Sequence, residues 1–457
     1  MKKSERMRSQ MNSEFIKSRR LRVIISILIA AAALFIITGQ VRRIRDSKET
    51  VLTLGVFSDS YWGVQSGYAN KIIDDAISRF EAEHPGVKVQ YESGIMKTDY
   101  SEWLSEQMMK GTEPDVFFVP EADFSTFAQI NALKNLNELI KEDDSFNPDT
   151  FYRTAYEYGK FGGKQYALPF ECAPNMMFVN KTILDGEKID LPAEDWTWED
   201  FYRICRIVTR DTDGTGIIDQ FGTVNYSWID AFDANGVELF DETGKSCDFT
   251  VREIGDAIAF LEKLSALGSG NSLSERNFSQ GNVVFQPMLF SEYRAYKSQE
   301  MSFKKYSGFE WDCVTMPAGP SGDNYSRLDT LSIAMSENTT QKEMAWEFMK
   351  LLTTDPQIQS EIFEYSAGIS VLPEVTQSEE TRRRITQSTG TEFNLDILES
   401  AMEKSVTRTR FRGFDNAQEE VGLAVRSILE SNSNIQMEQI IWNRTINNYL
   451  KNMQQRQ

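Results

Sequence analysis

Histidine is nearly absent from the 457-residue sequence, which contains only His84. A hydrolase with a Ser-His-Asp triad would depend on that residue, and a single histidine cannot build a histidine-rich zinc site. His84 ends a helical pattern just before Pro85, where we expect a surface position at a helix end. The sequence also lacks GxxxxGK[ST], GxSxG and HExxH motifs. These absences disfavour the enzyme classes that such motifs mark.

Cysteine is also scarce. The four cysteines are Cys172, Cys205, Cys247 and Cys313, and no CxxC spacing occurs. This number is too low for a fold built on disulfides. The spacing leaves two interpretations open, paired cysteines and buried free thiols.

Basic residues are concentrated at the N-terminus and sparse elsewhere. Residues 1–50 hold 12 Lys/Arg and 4 Asp/Glu, which leaves 37 and 64 for residues 51–457, a net charge of −27. A body this acidic would repel phosphates, so we expect no nucleic-acid partner. It suits a neutral or cationic ligand better than an anionic one, although most of the charge is typical of a solvated surface.

One long apolar run occurs near the N-terminus. Residues 23–38 carry no charge, and extension to residue 41 gives about 20 residues, enough to span a bilayer. The basic residues before it favour a cytoplasmic leader at 1–22, an uncleaved anchor at 23–41 and a linker at 42–50. A cleaved signal peptide is the alternative. Either way the body faces outward, at the cell membrane or secreted.

Strand and helix patterns alternate at the start of the body. Residues 50–57, 87–93 and 114–120 predict strands, whereas 69–84 and 100–111 carry apolar residues at helical spacing. This order predicts a parallel α/β sheet. Ligands of such sheets bind beyond the carboxyl ends of the strands, which are followed here by SDSYWG and PEADF.

A series of landmarks then runs in order through the body. It includes RFEAEHPGVKV, GTEPDVFFVP, KQYALPFECAPNMMFVNKTIL, WTWEDFYRICRIV, VTMPAGPSG and SAGISVLP. In this order the sequence resembles the extracellular solute-binding proteins of ABC importers, in the carbohydrate-binding group that includes maltose-binding protein. The resemblance covers residues from about 51 to 457. One departure is the absence of a lipid-bearing cysteine after the apolar run.

The resemblance implies a two-lobed periplasmic-binding-protein-like α/β fold. The strands that join the lobes would cross near 170–180, 318–328 and 372–376. One lobe would then hold 51–170 and 328–372, and the other 171–318 and 376–457. The lobes would close on a ligand in the cleft between them. The implied partners are a carbohydrate and ABC permease subunits, and we expect a monomer without catalytic activity.

Sugars present apolar ring faces and many hydroxyls, so a sugar cleft combines aromatic, acidic and amide side chains. The order of landmarks in the resembling family places the candidate cleft residues after the strands, at the crossings and in three loops. They are Tyr61, Trp62, Glu121, Asp123, Glu171, Asn175, Trp228, Asp230, Tyr293, Arg327, Asp329, Phe411, Arg412 and Phe414. Core packing is the alternative for each aromatic residue, and a solvated surface is the alternative for Glu121 and Asp123.

The stretch DTDGTGIIDQFG, residues 211–222, partly matches a calcium loop. Asp211, Asp213, Thr215, Asp219 and the backbone of Ile217 occupy ligand positions, and Gly216 stands at the sharp turn. The twelfth position of such a loop normally holds a glutamate that binds calcium through both carboxylate oxygens, but here it is Gly222. Calcium is therefore the one candidate cofactor, and a metal-free loop of Asx turns is the alternative.

Three other functions compete with delivery to an importer. A membrane-anchored sugar sensor and a binding protein for a non-sugar solute would have the same fold. A glycosidase would need a pair of carboxylates, and no motif marks such a pair. The sequence does not separate transport from sensing.

Overall fold

The computed structural model describes residues 50–62, 70–241, 243–268, 273–298, 308–389, 394–408, 410–431 and 433–455. The predicted anchor or signal at 23–41 lies outside these residues and stays a prediction. Among the described residues, no helix is both long enough and apolar enough to cross a membrane.

Twelve strands are found within the described residues. They are β1 Thr50–Gly55, β2 Val87–Tyr91, β3 Val116–Val119, β4 Lys160–Phe161, β5 Lys164–Gln165, β6 Ala167–Asn180, β7 Phe221–Thr223, β8 Val283–Leu289, β9 Trp311–Val314, β10 Ser326–Met335, β11 Ile369–Ser370 and β12 Ser405–Val406. Two short 3₁₀ helices, Pro148–Thr150 and Ala266–Gly268, accompany the α-helices.

The α-helices lie between the strands and dominate the C-terminal part of the chain. They are α1 Lys71–Glu83, α2 Lys97–Lys110, α3 Glu121–Gln129, α4 Asn137–Glu142, α5 Arg153–Glu157, α6 Lys181–Glu187, α7 Trp198–Val208, α8 Trp228–Ala234, α9 Arg252–Ser265, α10 Glu275–Ser279, α11 Phe290–Ser298, α12 Lys342–Thr354, α13 Pro356–Tyr365, α14 Pro373–Thr376, α15 Glu379–Thr389, α16 Leu395–Glu403, α17 Phe414–Ser431 and α18 Ile435–Gln455.

The predicted alternation of strands and helices is confirmed at the start of the body, and local chemistry sets several boundaries. Helix α2 ends at Gly111, whose left-handed backbone (φ 65°) closes the helix through bonds to the carbonyls of Gln107 and Met108. Pro356 is the first residue of α13, and Asp355, which separates α12 from α13, caps the second helix.

A small compact unit contains residues 81–89 together with residues 50–51. Glu81 accepts a hydrogen bond from the backbone N–H of Val89 at 3.0 Å and forms an ion pair with Lys88 at 2.6 Å. The N–H of Thr50 donates to the carbonyl of Gly86 at 2.8 Å. Gly86 has φ 93°, so the turn before β2 favours glycine.

The larger unit, residues 52–80 and 90–457, has a two-lobed fold in which one long strand serves both lobes. Residues 167–174 of β6 pair antiparallel with β10, and two of them also pair with β11. Residues 175–180 pair antiparallel with β8 and β9. The strand order β1-β3-β10-β6-β8-β7 therefore runs continuously from one lobe to the other.

We call the side of β1, β3 and the first half of β6 the first lobe, and the side of β8, β7 and the second half of β6 the second lobe. The residue ranges predicted for the lobes stay a prediction. Strands β1 and β3 are parallel, as predicted, but β10 lies antiparallel to β3. The sheet therefore contains both parallel and antiparallel pairs. The antiparallel pair arises because β10 enters this sheet from the second lobe and not through a local β-α-β crossover.

The second lobe holds a large apolar core built from α7, α8, α9, α17 and α18 around β6 and β8. Capping boxes fix the starts of two of these helices, with Thr197 and Asp200 at α7 and Ser227 and Asp230 at α8. All four cysteines are buried, and no disulfide joins them in the described part of the chain. This outcome selects one of the two interpretations that the sequence left open.

Candidate ligand-binding cleft

Two adjoining cavities lie where the lobes meet the crossing strand β10. The smaller, of about 200 Å³, is lined by Glu121, Ile229, Arg327, Leu328, Asp329, Thr407, Arg408, Arg410, Phe414, Asp415 and Gln418. The larger, of about 600 Å³, lies mainly in the second lobe, and its wall includes Trp228, Phe232, Asp233, Phe240 and Tyr325. Both cavities share Thr407, Arg408, Phe414 and Gln418, so they form one continuous recess.

Charged side chains of the smaller cavity are paired across the lobes and along β10. Arg410, which precedes α17 in the second lobe, forms an ion pair with Glu121, the first residue of α3 in the first lobe. On β10, Arg327 Nε donates to Asp329 at 3.1 Å. The wall carries three arginines and three carboxylates, so its formal charge is balanced.

Burial and neighbouring charges shift the pKa values of these groups. Burial alone would lower the pKa of the Arg327 guanidinium, but Asp329, Asp230 and Asp233 raise it overall. Burial also raises the pKa of Asp233, and the ion pair with Arg408 at 2.6 Å opposes that effect. The pKa of Asp415 is raised by burial and lowered in part by Arg410. Arg327 therefore stays charged in the cleft.

The larger cavity owes its aromatic character to α8 and to the residues around it. Ser227 Oγ accepts from the backbone N–H of Asp230 at 3.3 Å, and the Asp230 carboxylate accepts from the N–H of Ser227 at 2.8 Å. Asn175 on β6 donates to the same carboxylate at 2.9 Å. This buried network fixes the start of α8 and thereby the position of Trp228, which packs edge-on against Phe232 at 5.1 Å.

Tyr61, Trp62 and Glu171 come together beside the cleft, but they do not line either of these cavities. Trp62 is a core residue, 7% exposed and packed among small side chains of β6, α11 and the segment after α13. Glu171 is buried and accepts from Ser366 at 2.5 Å, and its burial raises the pKa of its carboxyl. Gly368 permits this packing, since a Cβ there would lie 2.6 Å from both Glu171 and Trp62.

Tyr61 lies in a mostly apolar setting above a cavity of about 40 Å³. Lys97 lies 4.3 Å from the centroid of its ring. Burial and the nearby carboxylates of Glu121 and Asp329 raise the pKa of Tyr61, so the phenol stays neutral and retains its O–H.

Four other predicted residues lie away from both cavities. Asp123 accepts from Ser101, and burial raises its pKa. Tyr293 is 1% exposed and stacks on Phe290. Phe411 packs in the second-lobe core, and Arg412 is exposed. The predicted residues that line one of the two adjoining cavities are Glu121, Trp228, Arg327, Asp329 and Phe414. Tyr61 and Glu171 line the separate cavity of about 40 Å³, and Asn175 and Asp230 support α8 from behind.

Sequence reasoning missed Arg408 and Arg410 while selecting Phe411 and Arg412 from the same RTRFRGF stretch. Arg408 and Arg410 line the smaller cavity, whereas Phe411 packs in the core. After Arg412 the chain turns at Gly413, which has φ 78°. The available signal was the run of three arginines at every second position of this stretch.

The 211–222 loop gathers carboxylates without completing a calcium shell. Ligand atoms of Asp211, Asp213 and Asp219 lie within 4.8 Å of one another. Each carboxylate also accepts backbone N–H groups, such as Gly216 to Asp211 at 2.6 Å and Thr212 to Asp219 at 2.7 Å. At Gly222 a Cβ would lie 2.4 Å from Cys205 Cβ, so the close packing excludes the usual Glu at this position.

Residues 63–359 match the bacterial extracellular solute-binding protein family. The chain belongs to this family. The match spans both halves of β6 and the crossing strand β10, and the cavity residues at 407–418 lie beyond it.

Solved structures share the fold of this solute-binding protein at low sequence identity. A cyclic alpha-maltosyl-1,6-maltose binding protein from Arthrobacter globiformis has a TM-score of 0.72 at 16% identity, covering 88% of this chain and 99% of that one. The sugar-binding protein MalE from Xanthomonas citri has a TM-score of 0.71 at 14% identity, covering 89% and 98%. An ABC substrate-binding protein from Listeria monocytogenes in complex with cycloalternan has a TM-score of 0.65 at 19% identity, covering 88% and 99%.

Curated relatives carry less specific names. Proteins of Brucella abortus and Brucella suis that are named as binding proteins are 23% identical over 286 residues, which is 60% of this chain. The matched region spans 66% of the length of these relatives.

Proposed function

We propose that this protein is the substrate-binding component of an ABC import system, which binds a carbohydrate in the cleft and delivers it to permease subunits. The observation that carries the proposal is the composition of the smaller cavity. Its wall combines Glu121 of the first lobe, Arg410 of the second lobe and Arg327 of the crossing strand. A ligand there would contact both lobes and would stabilise their closure.

The chemistry of the recess favours a sugar. Paired arginines and carboxylates offer donors and acceptors to hydroxyl groups, and the adjoining aromatic side chains offer faces to sugar rings. The balanced charge of the smaller cavity favours a neutral ligand. The sugar-binding names of the Arthrobacter and Xanthomonas proteins support the same class of ligand.

For the two lobes we propose the residue ranges that were predicted from the sequence. One holds residues 51–170 and 328–372, and the other holds 171–318 and 376–457. The division of β6 between two sets of pairing partners supports the crossing near 170–180. The body would act outside the cytoplasm, as the extracellular family implies. N-terminal sequencing of the mature protein would distinguish an anchor at 23–41 from a cleaved signal.

A thermal-shift screen of the purified full-length protein tests the proposed ligand class. The panel contains mono- and oligosaccharides, amino acids, short peptides and polyamines. A carbohydrate should raise Tm, because a ligand that binds the native state stabilises it. Stabilisation by an amino acid, peptide or polyamine and by no sugar would refute the carbohydrate assignment. Product formation during incubation, followed by chromatography, would refute a function without catalysis.

A sugar sensor is the second candidate, since the predicted N-terminal anchor suits sensing as well as transport. Uptake of the radiolabelled sugar in cells distinguishes the two functions. Deletion of the gene should abolish uptake if the protein delivers the ligand to a permease. Undiminished uptake with altered transcription would favour the sensor.

We propose that Asp211, Asp213 and Asp219 bind Ca²⁺ weakly, at about millimolar concentration. The gathered carboxylates support the proposal, and the backbone bonds they already accept together with Gly222 limit the affinity. Millimolar Ca²⁺ should raise Tm relative to a chelator, and Asp213→Asn should remove the difference. Equal Tm values for the unmodified protein in both conditions would exclude the site.

A further inference from the structure

Helix α18 carries apolar side chains on two opposite faces. One face packs on the second-lobe core through the buried residues Ile446 and Leu450. The other face exposes Met437, Ile440 and Ile441, which are 62%, 43% and 54% exposed. Residues at positions i, i+3 and i+4 share one side of a helix, so these three side chains form a stripe, which we call the α18 stripe. A helix that only covered the core would need a single apolar face.

The α18 stripe is the densest group of exposed apolar side chains in the described part of the chain. Eleven large apolar residues are exposed there, and three of them lie within these five consecutive positions. The other eight are at least ten residues apart in the sequence. Single exposed apolar residues are common on soluble proteins, whereas a contiguous apolar surface marks a site of interaction.

Two residues of opposite charge accompany the α18 stripe. Glu438 is half-buried and Arg444 is exposed, and neither forms an ion pair with another residue in the described part of the chain. They lie six residues apart, which is about 9 Å along the helix and about a third of a turn around it. They therefore do not pair with each other, and both charges are available to a partner.

The α18 stripe is complementary to a second copy of itself. When two copies of α18 lie antiparallel about a two-fold axis between Ile440 and Ile441, residues equally far from that axis in opposite directions face each other. The isoleucines of both copies then meet at the centre. Met437 and Glu438 of each copy face the region of Arg444 in the other, so opposite charges meet at both ends of the stripe. The aliphatic part of Arg444 can cover Met437 of the other copy.

A contact through α18 leaves the candidate cleft free. The cleft residues of α17, Phe414 and Gln418, lie near the start of that helix. Helices α17 and α18 pack against each other and are joined by only three residues, so they run antiparallel and Met437 lies near the end of α17. The segment from Gln418 to Ser431 spans about 20 Å along the helix axis, which separates the stripe from the cleft.

We propose that the α18 stripe is a self-association surface through which two copies of this protein form a weak antiparallel dimer. Three apolar side chains with an ion pair at each end make a smaller contact than the standard interface of about 800 Å² per partner, so we expect a dissociation constant in the micromolar range. This dimer replaces the monomer expected from the family resemblance. The proposal does not depend on the carbohydrate function, because the surface lies outside the cleft.

Sedimentation velocity of the purified full-length protein tests the proposal. Measurements between about 1 and 500 μM in one detergent should show a shift from monomer to dimer as concentration rises. Ile441→Lys should abolish the shift, because it places a charge at the centre of the contact. Met109→Lys is the matched control, since Met109 is 82% exposed on α2 of the first lobe, and it should retain the shift. A protein that stays monomeric, or a dimer that persists in Ile441→Lys, would overturn the proposal.

An exchange of charges tests the antiparallel arrangement. Glu438→Arg and Arg444→Glu should each weaken the dimer by about tenfold, since each substitution creates two contacts between like charges. The double variant should restore dimer formation, because the opposite charges face each other again. Within one copy these residues do not pair, so an effect on the fold alone predicts no rescue. A double variant that associates as weakly as the single variants would contradict the antiparallel pairing.

Sugar titration separates this proposal from the proposed function. Ile441→Lys should bind any sugar found by thermal shift with the affinity of the unmodified protein, because the cleft is unchanged. Absence of binding by every sugar would overturn the carbohydrate function and leave the dimer standing. A monomeric protein whose Ile441→Lys variant loses sugar uptake in cells would assign the α18 stripe to a different partner and overturn self-association.

Discussion

Arg410 of the second lobe forms an ion pair with Glu121 of the first lobe and lies over the ring of Tyr158, another first-lobe residue, at 4.0 Å. The protein's own side chains therefore connect the two walls of the cleft. Glu121 is 47% exposed, whereas Arg410 is 9% exposed. Solvent weakens this ion pair at the Glu121 side, so a ligand can compete for the guanidinium at modest cost.

Glu121→Gln should weaken the contact between the two walls of the cleft only slightly. An ion pair with one exposed partner contributes about 1 kcal/mol or less, so the urea midpoint should fall little. The lobes should separate more readily, and the radius of gyration without sugar, measured by small-angle scattering, should increase. Glu138→Gln is the control, because Glu138 is an exposed carboxylate on α4 of the first lobe. Scattering curves that coincide for Glu121→Gln, Glu138→Gln and the unmodified protein would show that this pair does not restrain the lobes.

Much of the fold was predictable from sequence because local patterns determine it. Apolar spacing predicted α1 and α2, and strand patterns predicted β1, β2 and β3. The antiparallel position of β10 was not predictable by these rules, since it depends on a partner more than 200 residues away, β3. Pairing over such a separation leaves no periodic signal in either segment.

The cleft was predictable in outline and less so in its side chains. Glu121 follows a buried strand, and Arg327 and Asp329 were expected near a crossing because of the order of the resembling family. Tyr293 and Phe411 are buried away from the two adjoining cavities, and an aromatic residue in a polar stretch gives no sign of which side it faces. The direction of each side chain depends on tertiary contacts, such as the ion pairs of Arg408 with Asp233 and of Arg410 with Glu121.

Removal of the Asp230 carboxylate should destabilise the second lobe and displace Trp228. Asp230→Ala leaves the N–H of Ser227 and the amide of Asn175 without their acceptor, at a cost of about 2 kcal/mol. Asp230→Asn should cost less, because its amide oxygen can still accept from Ser227. Urea unfolding followed by tryptophan fluorescence measures both. Asp195→Ala, in an exposed loop, should change stability by less than about 0.5 kcal/mol. Similar losses for Asp195→Ala and Asp230→Ala would contradict the role of this network.

Gly222→Ala should destabilise the protein through close packing. The added Cβ would lie 2.4 Å from Cys205 Cβ on α7, and relief of that overlap should cost about 1–3 kcal/mol. Gly186→Ala in α6 is a useful contrast, because no atom lies within 4 Å of the added Cβ there. It should stabilise the protein by about 0.5–1 kcal/mol, since glycine disfavours a helix interior. A tolerated Gly222→Ala would mean that α7 shifts without cost and that Gly222 does not restrict the loop.

Glu361 on α13 should make stability depend on pH. Burial, with the nearby carboxylates of Asp75 and Glu364, raises the pKa of Glu361 from 4.5 to about 7, while Lys71 and Arg384 oppose the shift. Because the folded state binds this proton more tightly than the unfolded chain, ionisation of Glu361 lowers stability as pH rises from about 4.5 to about 7. Its Oε2 is buried without a hydrogen-bond partner among the described residues, so the ionised form is poorly compensated.

Glu361→Gln should therefore be more stable than the unmodified protein at pH 8, with the difference vanishing near the ordinary pKa of 4.5. Urea unfolding at intervals across this range measures the difference. Glu374→Gln, at an exposed carboxylate near the start of α14, should show no such trend. A stability difference for Glu361→Gln that stays constant with pH would mean that the carboxyl titrates alike in the folded and unfolded chains. In that event α13 would have to rearrange against α1 and α15 so that the ionised Oε2 gains a hydrogen-bond partner. The pH dependence of stability that arises from Glu361 would then disappear.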